Sequence, residues 1–284
     1  MPERKIPALL AAQLSPEHVR RVQRLQSIEW QQGFERAEII VCAWPLANEL
    51  TRVLPRLRWL HYLAAGAWDL RECAVWGTDV IVTTSRGHTN SAGVARYVLD
   101  GFRRFAESVE RATVCVIGLG GVGSAVAARC AEEGMRVVGV RRDAGRGVAG
   151  VERVFPPDRL REALEGARFV AICCQLTGAS RHLIDDAALM AMDADAVLVN
   201  AARAGIVDHD ALLRALDAGH LRGAMLDVVD SGHAVARHPR VVATPHVAGA
   251  GANITRLLDL FEENLQAWLA GEPLRNRIDW ERGY

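Results

Sequence analysis

Short apolar runs rich in β-branched residues alternate along this chain with stretches whose apolar positions recur every three or four residues. The runs Ile6–Ala12, Ala37–Ala43, Leu57–Ala64 and Asp79–Thr83 predict strands. Ser15-Pro16 offers an N-cap followed by proline at the first helical position, predicting a helix to about Gln26. From Ser91 to about Arg111, Val94, Tyr97, Val98, Phe102 and Phe105 share one helical face. Further on, strands are predicted at 114–117, at 136–140, in ARFVAICC ending at Cys174, in AVLVN ending at Asn200, in RGAMLDV, and in VVAT ending at Thr244. Helices are predicted between them at 124–133, near 158–164 and near 186–192, and as one capped by Asp208 and stopped by Gly219. Strands alternating with helices predict an α/β architecture with parallel sheets. A last helix at about 253–270, apolar along Ile254, Leu257, Leu258, Phe261, Leu265 and Trp268, is expected to pack back on the first part of the chain. Trp30, Trp44, Trp59, Trp68 and Trp76 read as core packing.

At 284 residues the chain can bury a sizeable core and is expected to form two domains. Its 34 basic and 34 acidic residues balance, so neither nucleic acid nor an anionic membrane is an expected partner. The apolar run at the N-terminus is too short for a signal peptide and no segment reaches membrane-spanning length, which predicts a soluble, cytoplasmic protein. Six cysteines without C-x-x-C spacing suit a reducing compartment and suggest no metal site.

Chemistry first appears in Gly118-Leu119-Gly120-Gly121-Val122-Gly123. This G-x-G-x-x-G follows a strand and opens a helix, with Gly134 as the C′ residue and a second strand behind it, so the whole unit is present. The first glycine allows a sharp turn, the second lets a pyrophosphate reach the backbone, and the third lets helix pack on strand. The helix N-terminus then holds the phosphates. About twenty residues on, an acid would hold a ribose 2′-OH, whereas an arginine suits a 2′-phosphate. Arg141 and Arg142 stand there and favour NADP, with NAD open and two solvated arginines as the plain reading.

Beyond Asn200 the segments LVNAARAGIVDHDALLRAL, GAMLDV and ATPHVAGAG follow GLGGVG in an order that resembles the D-isomer-specific 2-hydroxyacid dehydrogenases. LHYLAAGAWD and VTTSRGHTNSAGVARYVL resemble segments of the same family, so the likeness covers nearly the whole chain. It implies a doubly wound parallel (Rossmann) sheet domain, residues 90–255, inserted in a smaller flavodoxin-like α/β substrate domain formed by 1–89 and completed by 256–284. It implies hydride transfer between NAD(P)H and a small 2-oxo acid, in a homodimer. By resemblance Arg203 grips the substrate carboxylate and carbonyl, and His246 is the acid/base. Asp227 accepts from the nicotinamide carboxamide, and Asn200 and Ala201 lie beside that ring. Cys174 and Thr177 join the cofactor-binding set. Ala65 and Gly66 match the loop whose N–H groups hold the substrate carboxylate, and Arg86 and His88 either line that pocket or face water.

Three departures from the family pattern stand out. Gly232 occupies the place of the glutamate that holds the catalytic histidine's other nitrogen, leaving Asp230 as the nearest substitute. The segment between Ser91 and Gly118 is short, and Arg96 replaces an acid. Two readings therefore remain: a working 2-oxo-acid reductase, or a dinucleotide-binding sensor or scaffold impaired in catalysis.

Overall fold

A computed structural model describes residues 5–87, 90–249, 251 and 253–281. The chain forms two compact units, Met1–Thr89 with Ala252–Tyr284, and Asn90–Gly251.

The first unit holds β1 (Ile6–Ala11), α1 (Pro16–Gln23), β2 (Ile28–Trp30), β3 (Ile39–Cys42), β4 (Trp59–Tyr62) and β5 (Ile81–Thr84). Ser15 caps α1, its side chain accepting from the His18 N–H. All strands pair in parallel in the order β2-β1-β3-β4-β5, which is the flavodoxin-like winding. Both faces of β3 are covered. Ile39 and Val41 share one core with Trp59 and with Leu257, Leu258, Phe261 and Leu265 of the C-terminal helix (Ile254–Ala270). Ile40 and Cys42 enter a second core with Leu50, Leu70 and Val82. This two-residue alternation is the pleat, and covering both faces explains the unbroken apolar run. Burying Phe261 and Leu265 contributes about 1.5–3 kcal/mol each, which ties the end of the chain to its beginning. Asn253 caps that helix through the Arg256 N–H, so the whole element goes with this unit. Trp59 is fully buried, but Trp44, read as core, is 68% exposed because β3 ends two residues before it.

The second unit runs α2 (Ser91–Phe105), β6 (Thr113–Ile117), α3 (Gly121–Glu132), β7 (Arg136–Val140), β8 (Arg153–Phe155), α4 (Leu160–Leu164), β9 (Phe169–Ile172), α5 (Asp186–Ala191), β10 (Ala196–Asn200), α6 (His209–Asp217), β11 (Leu221–Leu226) and β12 (Val241–Ala243). Its seven-stranded sheet has the order β12-β11-β10-β9-β6-β7-β8, parallel throughout. The sheet is doubly wound, and the winding reverses between β6 and β9. Phe102 of α2 packs on Phe169 of β9, with ring centroids 4.7 Å apart.

Helix α2 stops at Phe105, six residues short of the expected end. The backbone becomes extended at Ala106 (φ −137°, ψ 139°). The Phe105 carbonyl instead accepts from Arg222 Nη1 at 3.1 Å, and the Phe105 ring fills the space where a Cβ on Gly223 would sit, 2.4 Å away. Strand β9 likewise ends at Ile172, ahead of Cys174. No helix among the described residues is long and apolar enough to cross a membrane.

Candidate active site

The glycine turn opens where the sheet reverses. Gly118 has φ +97°, and a Cβ there would lie 2.6 Å from the Cys174 backbone. At Gly123 a Cβ would lie 1.9 Å from the Gly118 carbonyl oxygen. Both glycines are therefore demanded by the protein itself. Gly120 differs, since nothing stands within 4 Å of its Cβ position. That open space lies at the head of α3, where the first helical bond is Ser124 N–H to the Gly120 carbonyl at 2.8 Å. The N–H groups of Gly121, Val122 and Gly123 come before that bond and face no helical acceptor, an arrangement that fits a pyrophosphate.

Side chains take little part in this cradle. Leu119 is buried, placed where a Cβ on Gly139 would come within 2.6 Å of it, and Val122 is half-buried, so each offers only backbone. Thr177 caps a 3-10 turn at Gly178–Ser180, its N–H donating to Ser180 Oγ at 2.8 Å. Burial pushes the Cys174 thiol up to about 12, so it stays protonated and unreactive near neutral pH. Arg141 and Arg142 follow β7 directly. The Arg141 N–H donates to the Phe155 carbonyl at 3.0 Å, which pins the backbone and leaves its side chain half-exposed.

At the end of β10, Asn200 is completely buried and clamps a tight turn. Its Oδ1 accepts from the Ala202 N–H and its Nδ2 donates to the Arg203 carbonyl, both at 3.0 Å. The turn sets Ala201 and Arg203 at the carboxyl end of the sheet, and Arg203 Nη1 donates to the Ala202 carbonyl at 2.9 Å. The asparagine's amide is thus spent on backbone, which is how a polar group tolerates full burial.

Asp227, next after β11, is 1% exposed. Three donors converge on its carboxylate: Thr244 Oγ1 (2.6 Å) and Val247 N–H (2.7 Å) on Oδ1, and Ala248 N–H (2.8 Å) on Oδ2. The Asp227 carbonyl accepts the His246 N–H at 2.9 Å. Asp227 therefore holds the histidine loop by both backbone and side chain. His246 itself sits at φ +57°, a left-handed conformation that costs an L-residue roughly 1–2 kcal/mol and persists only where its surroundings enforce it. Its side chain is exposed on this unit, and among the described residues its ring has no hydrogen-bonding partner.

Asp230, the expected substitute partner for that ring, goes elsewhere. Its Oδ2 lies 3.0 Å from Nδ1 of His209, the first residue of α6. His209 is buried beside His233, whose ring centroid is 5.3 Å away. Burial holds the His209 imidazole below its usual range despite the carboxylate, so the pair couples α6 to the loop after β11. Gly232, in the family's glutamate position, has φ +74° and open space at its Cβ. Arg96 faces solvent on α2.

In the first unit, Ala65 and Gly66 follow β4 at the carboxyl end of its own sheet. The loop is pinned by the Ser85 N–H, which donates to the Ala64 carbonyl at 2.9 Å. The Arg86 carbonyl accepts from Asn276 Nδ2 at 2.6 Å, and His88 lies outside the described residues. Among the described residues no group of three or more His, Cys, Asp or Glu is placed to hold a metal ion.

Two supports of the histidine loop escaped the sequence reading, Thr244 and Tyr97. The Tyr97 hydroxyl lies 2.6 Å from Thr244 Oγ1. Helical spacing marks Tyr97 as an apolar position within the family-like segment VTTSRGHTNSAGVARYVL, and the signal for its role is a hydroxyl on a core-facing site.

A phosphate cradle where a doubly wound sheet reverses makes this a dinucleotide-binding α/β protein. Residues 73–248 match the model of the D-isomer specific 2-hydroxyacid dehydrogenase, NAD binding domain, and the chain belongs to that family. It is 32% identical over 241 residues to the (S)-sulfolactate dehydrogenase of Chromohalobacter salexigens, a match covering 75% of this chain and 78% of that one. A glyoxylate reductase of Korarchaeum cryptofilum is 34% identical over 178 residues, 60% of this chain but only 52% of the relative's length. Among solved structures, a D-isomer specific 2-hydroxyacid dehydrogenase from Xanthobacter autotrophicus Py2, in complex with NADPH and MES, superposes with a TM-score of 0.82 at 24% identity, covering 99% of this chain and 100% of that one. The NADPH-dependent glyoxylate/hydroxypyruvate reductase of Sinorhizobium meliloti, in complex with NADP and sulfate, gives 0.83 at 22%, with the same coverage. At these identities the structural likeness speaks for the fold.

Proposed function

We propose that this chain is an NADPH-dependent reductase of small 2-oxo acids to D-2-hydroxy acids, with Arg203 and His246 as its catalytic residues. One observation carries the reading. The glycine turn, the Asn200 turn with Arg203, Asp227 and the His246 loop follow β6, β10, β11 and β12, and in a parallel sheet these ends share the carboxyl edge. Ligands of open α/β sheets bind at that edge.

NADPH, held at the glycine turn of Gly118, Gly120 and Gly123, would supply hydride chemistry at the substrate's carbonyl carbon. As the carbonyl electrons move to oxygen, the Arg203 guanidinium stabilises the developing charge and grips the carboxylate. The His246 imidazolium delivers a proton to that oxygen and is left neutral, completing the alcohol. Asp227 has one acceptor direction on Oδ2 beyond the three bonds it makes, which suits a carboxamide N–H of the nicotinamide. Ala65 and Gly66 offer backbone N–H groups to the substrate carboxylate. Arg141 and Arg142 favour a 2′-phosphate and hence NADP over NAD.

That the His246 ring meets no hydrogen-bonding partner among the described residues favours a second reading, a dinucleotide-binding sensor with little turnover. Consumption of NADPH with glyoxylate and hydroxypyruvate, followed by nicotinamide absorbance, separates the two. Turnover with either acid supports the reductase, and tight NADPH binding without turnover supports the sensor. The reductase reading also makes the protein a cytoplasmic homodimer. Sedimentation at twice the chain mass and recovery in the cytosolic fraction check those two points.

A further inference from the structure

The histidine loop is held by a chain of hydrogen bonds that begins at Tyr97 on α2. A carboxylate only accepts, so the proton of Thr244 Oγ1 is committed to Asp227 Oδ1 at 2.6 Å. The hydroxyl has no second proton. The 2.6 Å contact between Tyr97 and Thr244 must therefore run from the tyrosine O–H to the threonine oxygen. The direction of the whole chain is fixed: Tyr97 donates to Thr244, and Thr244 donates to Asp227. Asp227 in turn accepts from the N–H groups of Val247 and Ala248, the two residues after His246, and its carbonyl accepts from His246 itself.

We propose that Tyr97 is a positioning residue for His246, acting through Thr244 to orient the Asp227 carboxylate that holds the histidine's backbone. The proposal rests on the reading of His246 as proton donor. The resemblance implies a glutamate on the ring where this chain has Gly232, and Asp230 is engaged by His209. Orientation must then come through the backbone. A left-handed residue carries its side chain wherever the flanking peptides point, so a looser Asp227 becomes a misaimed imidazole. Burial pushes the Tyr97 phenol up to about 12, the nearby Asp227 charge adding to the rise, so it remains a donor across the working pH range.

Tyr97→Phe keeps the ring and removes the donor. The expected result is a fall in kcat for glyoxylate reduction of about three- to tenfold, the worth of one neutral hydrogen bond. KM for glyoxylate should stay within about twofold, because the one proton of the tyrosine hydroxyl is committed to Thr244 and is not available to the substrate. Thr244→Val should lose at least as much, and Thr244→Ser should recover most of that loss. The double variant Tyr97→Phe/Thr244→Val should be no slower than Thr244→Val alone, since the tyrosine works only through that hydroxyl. Independently of turnover, amide hydrogen exchange at Val247 and Ala248 in the cofactor-free protein should be faster in Tyr97→Phe. Unchanged kcat with unchanged exchange overturns the proposal, and so do losses that multiply in the double variant. If the wild-type protein reduces no 2-oxo acid, the reading of His246 as donor fails, and the exchange rates alone decide whether Tyr97 tethers the loop.

Discussion

The glycine turn after β6 and the histidine loop after β11 and β12 solve the same problem by different means. Each holds backbone in a conformation that ordinary side chains resist, with φ +97° at Gly118 and +57° at His246. In the glycine turn the solution is local. Gly118 and Gly123 remove the Cβ atoms that would strike Cys174 and the Gly118 carbonyl, so the shape is written in residue type. The histidine loop needs a side chain where a glycine would be easiest, and its shape is enforced by Asp227 and, through the neighbouring Thr244, by the distant Tyr97. Glycine turns are consequently recognisable from spacing, whereas enforced loops are not.

The contrast breaks most severely at Gly123. Gly123→Val should destabilise the fold by more than the about 1–3 kcal/mol of ordinary overpacking and abolish NADPH binding, because the Cβ meets backbone 1.9 Å away. A denaturant titration together with NADPH fluorescence measures both. Gly120→Ala sharpens the point: it should leave stability nearly unchanged and weaken only the cofactor, since its Cβ meets no protein atom.

Next in size is the loop's own chemistry. His246→Ala should lower turnover by about 10²–10⁴-fold with NADPH affinity retained, and Arg203→Ala by about 10²–10³-fold. Full activity in either variant removes that residue from the mechanism. Smaller again is the cofactor preference. Arg141→Asp should reduce the NADPH/NADH affinity ratio at least tenfold, from a charge-assisted bond of about 1.5–3 kcal/mol, and an unchanged ratio would exclude Arg141 from the 2′-phosphate.

The smallest effect concerns His209. Its folded imidazole titrates below the ordinary 6.5, so as pH falls through about 6.5 the unfolded chain takes up a proton that the folded protein refuses. Stability attributable to His209 is therefore undiminished above that value and drains away on acidification. His209→Gln should lessen the drop in Tm between about pH 7 and about pH 5.5. Asp230→Asn should leave the pH profile of reduction where it is, because its carboxylate serves His209 and not His246; a shifted profile would restore Asp230 as the partner of His246.

Much of the architecture was legible because it depends on neighbours in sequence. The strand at Ala196–Asn200, the caps at Ser15 and Asp208 and the C-terminal helix stand within a residue of their expected places. Misreadings arose where a distant residue intervened. Periodicity carried α2 on to Arg111, but Arg222 takes the Phe105 carbonyl, 117 residues away, and the helix ends. The short β2 and β8 were not foreseen because each three-residue run contains a charged residue, whereas the equally short β12 is apolar throughout. Trp44 was read as core on composition, yet a residue past the end of a strand answers to no core.

Two α/β units and the glycine turn were thus legible in the sequence, which also marked Arg203, Asp227 and His246 as candidates through motif resemblance, since pleat, glycine spacing and motif are properties of short stretches. The tertiary structure alone decided which partners those residues keep. Asp230 pairs with His209 across 21 residues, and Tyr97 meets Thr244 across 147. A hydrogen bond is settled within about 3 Å, and only the folded sheet brings such distant positions that close.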